Sequence, residues 1–281
     1  MDQQLKNIRI AVMDLNAGEP NQGMRCIKAL VEQFLDSPEI SGNYTVFDVR
    51  VKNEVPEISD FDIFISSGGP GSPKPEGEKW EKKYFRFLDE LFDHNLLEQQ
   101  KKYLFLICHS FQLAAMHWKV GKVTKRKSTA FGIMPVHMTR KGRSEPIFAG
   151  LVDPFYAVDS RDYQLVQPRK KRVKKMGGKI LCKEKIRPHV ALERAVMGIR
   201  FSDEIIGVQF HPEADSEGMS MYFQQPEKRD HIIKHHGKKK YLSMLEHLDD
   251  DDKILKTNRT IIPKFLKRAA DSLNRFKLIS V

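Results

Sequence analysis

The stretch YLFLICHSFQLAAM, residues 103–116, decides the fold. Its first half, Tyr103–Ile107, carries no charge and no alternation, as in a strand buried on both faces. From Phe111 the residues FQLAAMHW (111–118) read as a helix. Cys108 stands at the turn between the two. A reactive side chain on a sharp strand-to-helix turn forms a nucleophile elbow, and the amino terminus of a helix favours a thiolate over a thiol. An isolated cysteine in an apolar strand reads equally well as a small core residue.

Working outward from this stretch, strand and helix patterns alternate. IRIAVMDL (8–15) is a β-branched and apolar run, MRCIKALVEQFL (24–35) has helical spacing, YTVFDVR (44–50) alternates, and FDIFISSGG (61–69) is a buried-type strand ending at glycines. Trp80, Tyr84, Phe87, Leu88, Leu91 and Phe92 then recur at three- and four-residue intervals along an amphipathic helix to Leu97. Such alternation predicts an α/β fold with a mostly parallel central sheet and helices on both faces.

After residue 120 the pattern changes. KVGKVTKR, GIMPVHMT, PFYAVDS, YQLVQP, KILCKE, HVALERA and MGIRFS read as short strands with few helices between them. They predict an antiparallel extension that returns to the sheet at IIGVQF (205–210). From Pro226 onward the sequence is helical and basic. The expected organisation is one α/β domain over 1–225 and a C-terminal helical extension over 226–281.

The 281 residues carry a net charge of +11, which raises the question of nucleic acid. The excess is local. Residues 169–175 hold six basic and no acidic side chains, and 226–281 hold 14 basic against 8 acidic, so the remainder is close to neutral. No aromatic residue interleaves with PRKKRVKK, and it reads as a solvated loop between strands, not a base-stacking surface. Nucleic acid is therefore not an expected partner. No apolar run approaches the roughly 20 residues a membrane span needs. The amino terminus reads as the entry to a strand, and Cys26, Cys108 and Cys182 are too few and too scattered for a disulfide framework. The expectation is a soluble protein of the reducing cytoplasm. His231, His235 and His236 have a helical spacing that two metal ligands use, but lysines surround them and no carboxylate or thiol partner is evident. A surface helix is the expected reading, with no metal and no cofactor.

In an open parallel sheet, reactive groups gather at the carboxyl ends of the strands. Besides Cys108, two further segments fall there. SSGGPGSP (66–73) offers glycines whose backbone is free for positive φ and whose amides can face an anion, although it lacks the lysine of a phosphate-binding loop. FHPEAD (210–215) follows a strand directly, so that His211 and Glu213 point to one side and the carboxylate can orient the imidazole. Taken singly, each segment also reads as an ordinary turn.

In this order and on these elements, the three segments resemble the class I glutamine amidotransferase domain, from about residue 8 to 215. The resemblance implies a flavodoxin-like sheet and a glutaminase that works through a Cys-His-Glu triad. Position by position, Cys108 resembles the nucleophile, His211 its base and Glu213 the residue orienting that base. The amides of Gly69 and His109 match the oxyanion hole, and Gly71, His109 and Gln112 match the glutamine pocket. The family's substrate-contacting Ser-His strand falls at DSRDYQLV (159–166), which brings in Ser160 and Asp162, with Arg161 near the usual histidine. The implied substrate is L-glutamine or a related amide. The chain shows no nucleotide-binding loop or second catalytic domain, so the implied ammonia acceptor is a separate synthetase chain. The overall pattern is most similar to stand-alone GMP-synthase-like glutaminases.

The elbow departs from the family pattern, with Leu106 and Ser110 where glycines usually stand two places before and after the nucleophile. The pair Cys108-His109 also resembles a related branch of intracellular cysteine hydrolases and chaperone-like proteins, in which His109 would be the catalytic partner. A binding protein with an idle triad is a further alternative. Met219, Met221, Tyr222 and Phe223, just past the HPEAD segment, read either as a lid or as packing.

Overall fold

The computed structural model describes residues 7–19, 21–187, 193–248, 250 and 252–279. One nine-stranded sheet runs through it in the order β2-β1-β3-β4-β9-β8-β6-β5-β7. Strands β1 (Asn7–Asp14), β2 (Ser41–Asp48), β3 (Ile63–Ser66), β4 (Tyr103–Ile107) and β9 (Ile205–Val208) are mutually parallel. β3, β4 and β9 are buried at every position, as their uniformly apolar sequences require. Helices α1 (Gln22–Leu35) and α2 (Lys79–Leu97) cover opposite faces and contribute to two separate apolar clusters. Asn21 caps α1 by accepting from the Met24 N–H, and Glu78 and Glu81 form a reciprocal capping box on α2.

Strands β5 (Lys122–Met138), β6 (Phe155–Val166), β7 (Lys179–Glu184) and β8 (Val196–Arg200) are antiparallel. Pairings β5–β6, β6–β8, β8–β7 and β7–β5 close them into a small barrel, and β8 also pairs with β9. The mostly parallel sheet expected from the sequence therefore needs correction. Parallel pairing is confined to five strands, and antiparallel ladders outnumber parallel ones five to four. The expectation missed this because KVGKVTKR and GIMPVHMT are not two short strands. They form the single 17-residue β5, whose register shifts at a bulge between Lys125 and Ala130. PFYAVDS and YQLVQP fuse in the same way into β6. Most of HVALERA lies outside the described residues.

The basic run is also not a loop. Lys170–Lys175 forms the short helix α4, with Val173 buried beneath it and the lysines exposed. Lysine and arginine are good helix formers, and Gly177, at φ +81°, ends the turn.

Helix α3 (His109–His117) follows β4, and α5 (Ser216–Gln224) follows the 211–215 turn. The basic tail folds into α6 (Pro226–His236), α7 (Lys238–Glu246), α8 (Ile254–Asn258) and α9 (Ile261–Ile279). In α9, Ile261, Ile262, Phe265, Leu266, Ala269 and Leu273 are buried in the same cluster as β1, β4 and α1. Phe265 packs on Phe105 with ring centroids 5.1 Å apart. The side chains of His231, His235 and His236 lie outside the described residues.

Candidate active site

The carboxyl ends of β3, β4 and β9 bring SSGG, Cys108 and His211 together. Cys108 has φ +49° and ψ −97°, a backbone conformation that costs a non-glycine residue of order 1–3 kcal/mol and persists only where its surroundings hold it. Here its N–H donates to Val208 O at 2.8 Å, which ties the turn to β9. The thiol is nearly buried. Its Sγ accepts from Gln209 Nε2 and donates to Ser160 O, both at 3.7 Å.

His211 is fixed by its own backbone, whose N–H donates to Val158 O on β6 at 2.8 Å. Its Nδ1 donates to Glu213 Oε1 at 2.7 Å. Burial works against a charged imidazole. The carboxylate charge of Glu213, the charge on Cys108 and hydrogen bonds to both outweigh it, so the His211 pKa lies well above the usual histidine range. Glu213 is buried. Its Oε2 has no hydrogen-bond partner among the described residues.

The glycine loop is tight for a different reason from the expected one. Of Gly68, Gly69 and Gly71, only Gly71 adopts a positive φ (+91°). The other two are needed for close approach. A Cβ on Gly68 would lie 2.9 Å from His211 Cε1, and one on Gly69 would lie 2.3 Å from Leu15 O. Arg50, two residues past the end of β2, clamps the loop by donating to Pro70 O at 2.7 Å.

His109, the first residue of α3, is buried, and its Nε2 is without a partner among the described residues. Burial, with a contribution from the Arg50 charge, pushes its pKa down to about 4, so the imidazole is neutral. Gln112 is turned inward, donating to Tyr163 O and to Gln209 Oε1. Along β6 the side chains alternate. Ser160 is exposed and lines a cavity, whereas Asp159 and Arg161 are buried and paired at 2.8 Å. Asp162 is exposed and accepts from the Thr129 hydroxyl at 2.5 Å.

A cavity of about 230 Å³ opens beside His211, between the start of α1, the 211–215 turn and α5. Ser160 reaches it, but Gly69, Gly71, His109, Gln112 and Asp162 do not. Met219 and Tyr222 line it, and Phe223 is buried packing. Three residues that sequence reasoning did not single out serve the site: Gln209 on Cys108, Arg50 on the glycine loop, and Asn258, whose Nδ2 donates to Glu213 O at 2.8 Å. Gln209 adjoins the HPE segment and was within reach. Asn258 is 45 residues away and carries no local signal. Among the described residues no three His, Cys, Asp or Glu side chains gather as metal ligands.

The sequence pattern of the family "Glutamine amidotransferase class-I" matches residues 30–226. The chain belongs to this family. No curated protein matches its sequence. Among solved structures, it resembles a glutamine amidotransferase from Thermotoga maritima with a TM-score of 0.66 at 15% identity, covering 95% of this chain and 99% of that one. The corresponding values for the glutamine amidotransferase of Methylobacillus flagellatus are 0.64 and 16%, covering 96% of each chain. The glutaminase domain of Trypanosoma brucei CTPS, solved with acivicin bound, gives 0.53 and 14%, covering 76% of this chain and 89% of that one. At such identities the likeness shows the fold.

Within this amidotransferase fold the two unusual elbow residues are accommodated. Leu106 points away from the thiol into the α2-side cluster and pairs in register with Gly207 on β9. A Cβ on Gly207 would lie 3.1 Å from Leu106 Cβ and 2.8 Å from Phe111, so the neighbouring strand supplies the space the leucine takes. The Ser110 hydroxyl accepts the Ile107 N–H at 2.8 Å and has two carbonyls, Ser66 O and Ile107 O, at 2.9 Å for its proton. Serine here locks the turn that glycine usually leaves open.

Proposed function

We propose that the chain is a glutamine amidohydrolase in which Cys108, His211 and Glu213 form the catalytic triad. The observation that carries this reading is the His211–Glu213 bond beside a thiol held at φ +49° on a strand-to-helix turn. Cys108 thiolate attacks the γ-carbonyl carbon of glutamine. The resulting oxyanion is held by the amides of Gly69 and His109, His211 gives its proton to the departing ammonia, and water hydrolyses the thioester to glutamate. Glu213 keeps the imidazole charged and oriented. Gly71, Gln112, Ser160 and Asp162 are proposed to hold the amino-acid end of the substrate. His109 as the base is disfavoured, since its imidazole is buried and Glu213 orients His211 instead.

The ammonia acceptor is proposed to be a separate synthetase. The glutaminase domain of CTPS among the structural relatives supports that view. The proposed division is a catalytic domain over 1–225 with a helical extension over 226–281. Among the described residues no helix is long and apolar enough to cross a membrane, and all three cysteines are free, which supports placement in a reducing compartment. Purified protein given glutamine should release glutamate and ammonia. Cys108→Ala should abolish that release, and wild-type protein with no turnover at all would refute the assignment.

A further inference from the structure

One end of the barrel carries a second recess, of about 400 Å³, lined by none of the proposed active-site residues. It exists because of the bulge in β5. Lys125 pairs with Tyr163 and Ala130 with Arg161, so residues 126–129 of β5 stand against the single Asp162 of β6. The extra length lifts Lys125–Ser128 out of the ladder and over the barrel mouth. There they meet the end of β7 and the residues that lead into β8.

The floor of the recess is a fixed charge network. Arg126 is nine-tenths buried, and its guanidinium donates to Ser128 O, Gln164 Oε1 and Glu184 Oε1. The same carboxylate oxygen accepts from Arg187 at 3.2 Å and lies 3.5 Å from the buried Arg161. Burial pushes the Glu184 carboxyl up, but the three arginines outweigh it and hold it below the ordinary range, so it stays ionised. One carboxylate thus faces three guanidinium groups, of which only Arg161 has a second carboxylate, that of Asp159.

Above this floor the balance is also one-sided. Six basic side chains line the recess against two acidic ones, and the ammonium groups of Lys125, Lys127 and Lys185 have no partner among the described residues. A cleft lined by one sign of charge concentrates ions of the other. The kind of free group narrows the class. Arginine forks suit a planar carboxylate, and that of Arg126 is engaged with Glu184 and Gln164. Free ammonium groups are point charges that suit phosphate oxygens. Among the described residues Ile186 is the one apolar side chain in the lining, so the wall has little to grip a base or an alkyl chain.

We propose that this recess binds a compact polyanion with two or more phosphoryl groups, either free or as the phosphate end of a nucleotide. The lysines supply the charge that meets it, and the arginine network keeps the recess in shape.

Calorimetric titration of the full-length protein with inorganic tripolyphosphate, without divalent cations, should give one saturable site per chain. Lys125→Ala/Lys185→Ala should weaken it at least tenfold. Lys171→Ala/Lys175→Ala, which removes two exposed charges from α4, should leave the affinity within twofold. ATP binding at least as tightly as tripolyphosphate would support a nucleotide as the source, and a tenfold preference for tripolyphosphate would support a free polyphosphate. Citrate binding as tightly as tripolyphosphate would overturn recognition of phosphate. An equal loss in both double variants would reduce the recess to a part of a general basic surface and overturn the site, as would a titration that never saturates.

Discussion

Ser110 holds the elbow by replacing conformational freedom with hydrogen bonds. Removing its hydroxyl leaves the buried Ile107 N–H without an acceptor, which costs about 1–3 kcal/mol. Ser110→Ala should therefore lower stability in chemical denaturation by that amount and reduce glutamine turnover, while Ser110→Thr retains the acceptor. His109 makes a separate prediction about pH. Its pKa is near 4 in the fold and near 6.5 in an unfolded chain, so the unfolded state takes up protons first as pH falls. Protonation of this one group should withdraw about 3 kcal/mol of stability between roughly pH 6.5 and 4. His109→Asn should flatten that part of the stability–pH curve, and an unchanged curve would refute a neutral, buried His109. His211 behaves in the opposite sense. The stability from its charged state is complete below about pH 6.5 and fades only as pH rises through its raised folded value. The three side chains proposed as the triad stood out in the sequence because each lies just past the carboxyl end of an apolar strand, Cys108 after β4 and His211 and Glu213 after β9. What made Leu106 tolerable was not legible, since the compensating Gly207 is adjacent only across the sheet.

At the scale of elements, the HPE turn is held from three directions. β6 takes the His211 N–H, and Arg25 on α1 pairs with Asp215 at 2.6 Å. From α8, Asn258 donates to Glu213 O while the adjacent Thr257 donates to Tyr156 O at 2.6 Å. The C-terminal extension thus reaches the backbone of the residue that orients the proposed base. Asn258→Asp keeps the shape but loses the donor and sets a carboxylate against a carbonyl. It should lower kcat for glutamine with little change in KM and shift the pH–rate profile, because the displaced Glu213 no longer supports the imidazole charge. An Asn258→Asp enzyme with an unaltered pH profile would show that the contact is only structural. The parallel strands and their helices were readable from hydrophobic periodicity, which reports burial within one element. β5 was not, because its exposed first half, KVTKRKST, carries no alternation from which to extend the strand through the bulge. α4 was misread because net charge describes solvation and says nothing of backbone conformation.

For the molecule as a whole, the open question is whether the basic tail is a module or part of the core. Its sequence reads as a helical extension packed on the main domain, with a separate small module as the alternative, and the sum of its charges hides an amphipathic helix in which Ile261, Ile262, Phe265 and Leu266 share one face. In the fold that face closes the cluster that β1, β4 and α1 form on one side of the sheet, and it does so directly behind the strand that ends at Cys108. Phe265 against Phe105 is the central contact. Truncating a buried phenylalanine to alanine costs about 3–5 kcal/mol where the site does not collapse. If catalytic domain and extension are one cooperative unit, Phe265→Ala should move a single denaturation transition, followed by both far-ultraviolet circular dichroism and tryptophan fluorescence. The fluorescence comes from Trp80 and Trp118, both buried in the opposite cluster, so it reports on the side of the sheet that Phe265 does not touch. A circular-dichroism transition that separates from an unmoved fluorescence transition would instead mark the tail as an independently folding unit. In that case the Asn258–Glu213 contact would be lost before the sheet unfolds, and glutaminase activity should disappear with the first transition.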